Sequence, residues 1–249
     1  ENKENPYDFV LWKKTKEGIT WDSPWGAGRP GWHTECVVMI NKLFGDNIDI
    51  HGGGVDLKFP HHENEMAQSE AACGTNLANY WMHNGHVMVN GVKMSKSLGN
   101  FITAHELLEK HPANVIRLSI LKTNYKMPFD FTDALFKECG TINDKVQNAL
   151  KQANLEVQLK NLEVGKVKQD EKINEIMDDD FNTANLVTYL LDLIKELNTK
   201  LRAKEDFTDI YDKVMLANYI LGLEYEFVTL SDEDKEIYNK WLEYRNNKD

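Results

Sequence analysis

From Asp133 to the end, apolar residues return every three or four positions. Leu135, Cys139, Ile142, Val146 and Leu150 form one stripe, the period of a helix with a single buried face. Phe181 to Leu201 carries a second stripe and Ile210 to Leu221 a third. Ser231-Asp232-Glu233-Asp234 reads as a capping box that opens a fourth helix, with Ile237 and Trp241 expected on its buried side. Residues 151–171 are polar and Lys-rich, either an exposed helix end or a loop.

Before Asp133 the pattern is mixed. Thr34 is placed to cap a helix through about Leu43, stopped by Gly45. NIDIHGGG (47–54) predicts a short strand running into a glycine turn. Pro60 suits the first position of a helix, where its missing N–H costs nothing, and that helix should reach about Ala72, before Gly74. HVMVNGVKM (86–94) alternates around Asn90-Gly91, a hairpin signal. WDSPWGAGRPGW (21–32) reads as a turn-rich loop. The fold class is therefore α/β followed by an α-helical bundle, without internal repeat.

Composition narrows the picture. A chain of 249 residues makes one large domain or two modest ones, and 41% apolar content is enough for a core. No apolar run of about 18 residues could span a membrane. The opening ENKENPYDF is polar, lacks a starting methionine and is no signal peptide, so an internal piece of a longer chain is expected. The chain also stops at Asp249 with no helix-ending signal. Cys36, Cys73 and Cys139 form no CxxC, which argues against a disulfide framework and fits a reducing cytosol. A net charge of −11 argues against a non-specific nucleic-acid binder. Residues 93–127 nevertheless carry a net +4, the mark either of a phosphate-bearing ligand or of a solvated helix face.

Several stretches could carry chemistry. FPHHENEMAQS (59–69) packs His61, His62, Glu63 and Glu65 behind a proline. These are metal ligands, an acid–base pair or the polar start of a helix. His61 with Glu65 (i, i+4) and His62 with Glu65 (i, i+3) can each share a helix face. In GVKMSKSLGN (91–100), Lys93 and Lys96 sit three apart among small hydroxyl residues. Mobile ammonium groups of this kind suit a triphosphate, since they can approach the leaving pyrophosphate more closely in the transition state. Gly52-Gly53-Gly54 permits close backbone approach by a ligand, and Asp56 follows it. Met177-Asp178-Asp179-Asp180-Phe181-Asn182 reads as a helix start capped at Asp180 or Asn182.

KMSKS resembles the second signature of class I aminoacyl-tRNA synthetases. GRPGWHTEC (28–36), DIHGGGVDLKFPHHENEMAQS (49–69), YWMHNGHVMVNGVKMSKSLGNF (80–101) and MDDDFNTANL (177–186), in that order, are similar to cysteinyl-tRNA synthetases. The resemblance runs from about Tyr7 to Arg245. It implies the second half of a Rossmann-like catalytic domain over 1–92, the KMSKS loop with a helical region over 93–132, and an α-helical bundle domain over 133–249.

It also implies a zinc ion held by Cys36, His61 and Glu65, with a fourth cysteine that has no counterpart ahead of Cys36. The chemistry agrees. Cys36 is expected in the first turn of its helix, where the dipole favours thiolate, and zinc accepts S, N and O ligands together. Zinc bonded to a thiolate separates cysteine from serine, which a shape-fitting pocket does poorly.

By the same resemblance Trp32 and His51 line the amino-acid pocket, although each taken alone reads sooner as a core tryptophan or a satisfied buried histidine. Gly54 and Asp56 contact the nucleotide ribose. Lys93, Met94, Ser95, Lys96 and Ser97 hold ATP, which enters with Mg2+, and the two lysines are the catalytic pair. HNGH (83–86) imitates the first class I signature, HIGH, but lies too close to KMSKS to be it and is read as structural. Arg117, Lys122 and Lys126 either contact tRNA phosphates or form an exposed helix face.

The implied partners are cysteine, ATP and tRNA(Cys), with no membrane, in a monomeric, cytoplasmic enzyme. The implied reaction is ATP-dependent activation of cysteine and its transfer to tRNA(Cys). Lacking HIGH and the fourth ligand, these 249 residues alone are expected to adenylate little. Two other readings stand beside it: a ligase passing cysteine to an aminosugar, as in mycothiol synthesis, and a non-catalytic zinc- or tRNA-binding module.

Overall fold

The computed structural model describes residues 3–246, in two compact units that meet in sequence between His86 and Val87. The sequence features at Glu1 and at Asp249 lie outside the described residues.

The first unit opens with an antiparallel ribbon, β1 (Trp12–Lys14) against β2 (Gly28–Pro30). The stretch read as a loop thus contains a strand. Gly28 and Gly31 are the reason: a side chain at either would run into the carbonyl of Lys13 or Val10. Three residues with few apolar positions leave no alternation to detect. α1 (Trp32–Phe44) begins behind Gly31, two residues ahead of Thr34. Thr34 does not cap it; its hydroxyl donates to Gln68 Oε1 at 2.8 Å.

β3 (Ile48–Gly54) pairs in parallel with β4 (Ala78–Asn84), and α2 (Glu63–Cys73) forms the crossover. The chain enters α2 by a wide turn, Lys58–His62. Phe59 is extended there, with φ −137° and ψ 133°, as the residue before a proline prefers. Regular helix starts at Glu63, three residues later than the expected Pro60, and ends at Gly74 in the left-handed region.

In the second unit, β5 (Val87–Val89) and β6 (Val92–Lys93) form the expected hairpin. Asn90 and Gly91 both take positive φ, 50° and 79°, the conformation that two-residue hairpin loops need. After α3 (Ala104–Lys110) and α4 (Ala113–Leu121), β7 (Phe129–Phe131) returns beside β5 in parallel.

Helices then dominate. α5 (Asp133–Lys160) buries Cys139, Ile142, Val146 and Leu150, the predicted stripe. α6 (Glu171–Asp178) was not anticipated, because its eight residues are too few to show a period. α7 (Thr183–Ala203) is capped by Asn182, whose side chain accepts the Asn185 N–H at 3.2 Å. α8 (Thr208–Leu221) packs beside it. The Lys-rich segment is helical to Lys160 and irregular beyond Leu162. Asp212, nearly fully buried on α8, fastens that irregular stretch by accepting N–H groups from Gly165, Lys166 and Val167 at 2.6, 2.7 and 3.2 Å.

α9 (Asp232–Asn246) starts at the expected capping box, Asp234 N–H donating to Ser231 Oγ at 3.1 Å. Its apolar side is not buried, however: Ile237 is 60% exposed and Trp241 50%. Spacing locates a stripe but does not supply a surface to cover it. No helix among the described residues is long and apolar enough to cross a membrane.

Candidate functional site

Two helices and two strands of the first unit gather one polar cluster. α1 brings Trp32, His33 and Cys36. The turn into α2 and its first residues bring His61, His62 and Glu65. β3 and β4 bring His51 and His83.

Cys36 Sγ lies 3.7 Å from His61 Nε2, and the same nitrogen lies 2.8 Å from Glu65 Oε1. The three ligand atoms of Cys36, His61 and Glu65 all fall within 4.8 Å of one another. A second set, His51, His62 and Glu65, meets the same distance. Glu65 belongs to both: its other oxygen is 3.0 Å from His51 Nε2. His62 turns its Nδ1 to His83 Nε2 at 2.8 Å. Trp32 stacks on the His61 ring, centroids 4.1 Å apart.

The electrostatics of this cluster are those of a site short of positive charge. Glu65 is 0% exposed, yet neither carboxylate oxygen has a hydrogen-bond partner, because the two imidazole contacts are close without being aligned. A buried carboxylate left so is costly. Burial raises the Glu65 pKa, and the neighbouring Cys36 opposes that. The Cys36 thiol is pushed up to about 11 by burial, then by Glu65 and Glu35. The thiolate expected from the helix dipole is therefore not favoured by this chain alone; Cys36 is the fifth residue of α1, past the first turn where the dipole acts. Burial holds His61, His51 and His33 below the usual imidazole range and takes His62 down to about 4, with neighbouring rings adding to the effect at all but His33. These rings are neutral at pH 7, the form that ligates metal.

Sulfur, nitrogen and carboxylate oxygen on one buried point make a donor set that zinc accepts. A divalent ion there would supply the charge that the unpartnered Glu65 carboxylate and the Cys36 sulfur lack.

The glycine turn also packs against the chain's own side chains. A Cβ at Gly53 would lie 3.0 Å from His62 Cε1 and from Leu57 Cδ1, and one at Gly54 2.5 Å from Asp56 Oδ1. The backbone's close approach at these two positions is to the chain's own side chains. The sequence reading passes over His33 and takes His83 only as part of the structural HNGH stretch; spacing from Cys36, three residues for His33, is the available signal.

The second unit carries the loop with Lys93, Met94, Ser95, Lys96 and Ser97. Asn100 clasps it: its Oδ1 accepts the Ser95 N–H at 2.9 Å and its Nδ2 donates to the Lys93 carbonyl at 3.1 Å. Lys96 Nζ sits 5.6 Å over the Phe101 ring. Three further cations of this stretch, Arg117, Lys122 and Lys126, are engaged within the protein. Arg117 Nε donates to the Leu221 carbonyl at 2.7 Å, Lys122 pairs with Glu138, and Lys126 meets Asp180 at 2.5 Å.

Comparison with known proteins first defines the class. The chain shares its fold with a LeuRS of Agrobacterium radiobacter K84 solved in a ternary complex with tRNA and LeuAMS, at TM-score 0.60 and 15% identity over 82% of this chain and 32% of that one. Residues 1–141 match the family described as tRNA synthetases class I (C) catalytic domain, and residues 172–223 match the DALR domain. The chain belongs to that class I (C) synthetase family, an α/β catalytic part followed by a helical domain. Among its relatives are three proteins named cysteine–tRNA ligase. That of Oceanobacillus iheyensis is 46% identical over 85% of this chain and 47% of its own length. That of Shouchella clausii is 50% identical over 80% and 44%, and that of Streptococcus thermophilus 43% identical over 100% and 54%. The chain spans about half the length of these curated relatives.

Proposed function

We propose that this chain is the part of a cysteine–tRNA ligase that selects cysteine by its thiol and grips the phosphates of ATP. The convergence of Cys36, His61 and Glu65, with a buried carboxylate that lacks hydrogen bonds, carries the reading.

In this reading Cys36, His61 and Glu65 hold zinc. When bound, zinc supplies a soft Lewis-acid centre that bonds a thiolate in preference to a serine hydroxyl. Trp32, 59% exposed and stacked on His61, walls the place beside it, and His51 borders it. Gly54 and Asp56 take the ribose. Lys93 and Lys96, on the loop clasped by Asn100, hold the triphosphate of Mg–ATP.

The reaction has two steps. The cysteine carboxylate attacks the α-phosphorus and pyrophosphate leaves with the charge the lysines neutralise. A terminal ribose hydroxyl of tRNA(Cys) then attacks the cysteinyl carbonyl, releasing AMP and a proton. Positioning and charge stabilisation do this work without a covalent enzyme intermediate. The cytoplasm suits the three free thiols.

Calorimetry on the zinc-loaded chain tests the proposal. Cysteine is expected to bind and serine not to, and binding should vanish with Cys36→Ala. Equal binding of the two amino acids, or cysteine binding that survives removal of zinc, refutes it.

A further inference from the structure

His33 lies on the same face of α1 as Cys36, three residues before it. Its Nδ1 is 2.7 Å from His61 Nδ1, a hydrogen bond between two ring nitrogens. Such a bond holds one proton, and its direction decides what the far side of His61 can do. That far atom, Nε2, faces Cys36 Sγ at 3.7 Å and Glu65 Oε1 at 2.8 Å.

If His33 donates, His61 must carry its own proton on Nε2, and the nitrogen that faces sulfur and carboxylate is closed to a metal. If His61 donates from Nδ1, Nε2 presents a bare lone pair to the same point. An ion shared with Cys36 and Glu65 requires the second arrangement, because Nε2 is the His61 nitrogen that faces both of them.

We infer that His33 is the residue that orients His61: its Nδ1 accepts the His61 Nδ1–H, fixing the tautomer in which Nε2 is the ligand atom. This rests on the zinc reading above. His33 touches neither metal nor substrate in this scheme, so it is a positioning residue. α1 would then deliver one ligand, Cys36, and the anchor of another from adjacent turns. The ring of His33 is itself held edge-on against Phe9, centroids 5.7 Å apart at 90°, so its lone pair has a fixed aim. Partners of this kind on a ligating imidazole are typically worth about 10- to 100-fold in metal affinity.

The test is zinc affinity of the full 249-residue chain, by competition with a chromogenic chelator, for the unsubstituted protein, His33→Ala and His33→Asn. His33→Ala is expected to bind zinc about 10- to 100-fold more weakly. His33→Asn keeps an acceptor oxygen and should recover most of the loss, with unchanged circular dichroism in both. Equal affinity of His33→Ala and the unsubstituted chain overturns this inference alone. An unsubstituted chain that holds no zinc overturns the reading beneath it. Long-range nitrogen–proton spectra of the zinc-loaded, unsubstituted chain need no variant: a His61 proton on Nδ1 supports the assignment, and one on Nε2 contradicts it.

Discussion

The two units bury opposite kinds of side chain. Among the described residues up to His86 the buried apolar ones are Val37, Leu77 and Ala78, and against them stand five buried polar ones, His61, His62, Asn64, Glu65 and Ser69. From Val87 on, one continuous apolar core runs through α4, α5, α7 and α8, with Leu118, Leu150, Leu190 and Val214 at 0% exposure. The helical unit is built as folding thermodynamics prefers, apolar surface removed from water. The α/β unit spends its interior on groups that are expensive to bury. In the proposed reading, that interior is completed by the ion that neutralises Glu65.

Substitution at Glu65 should break the contrast most visibly. Glu65→Ala is expected to weaken zinc binding by more than about 100-fold, so zinc no longer raises the melting temperature as it does for the unsubstituted chain. In the metal-free protein the same substitution should be neutral or stabilising, because an unpartnered buried carboxylate is removed. A loss of stability without zinc as large as with it would show that Glu65 serves packing.

The helical unit should respond in the opposite sense. Leu150→Ala is expected to cost about 2–5 kcal/mol by urea unfolding, equally with and without zinc. A zinc-dependent cost there would mean the two interiors are not separate in kind. Asp212→Asn, which weakens three N–H contacts to one carboxylate, should cost about 1–3 kcal/mol and free the Gly165–Val167 backbone to exchange hydrogen. Protected amides in that variant would contradict it. Trp241→Ser on α9 should lie within about 0.5 kcal/mol of the parent, since the ring is half exposed. A larger loss in the same titration would restore the buried face that the stripe implied.

What the sequence revealed follows the same division. Long amphipathic helices announce themselves, so α5, α7 and α8 are legible, as are the Asn90-Gly91 hairpin and the Ser231 cap, while the cap of α7 is narrowed to Asp180 or Asn182 and proves to be Asn182. Short elements were not: β1 and β2 exist through glycine contacts between distant residues, and α6 is too brief to show a period. The burial of Ile237 and Trp241 failed because periodicity records a face and not its partner. In the site, Cys36, His61 and Glu65 came from family resemblance; spacing alone left His62 equally open. The structure brings the three together, and it also turns His62 toward His83 and seats His33 against His61. Those pairings lie across elements, 21 and 28 residues apart in the chain, where no local pattern reports them.

The most direct test is zinc-edge X-ray absorption on the loaded chain, with and without cysteine. One protein sulfur with nitrogen and oxygen neighbours is predicted, a second sulfur on adding cysteine, and no change on adding serine. A first shell without sulfur, or one indifferent to cysteine, would contradict the claim that Cys36, His61 and Glu65 share an ion that reads the substrate's thiol.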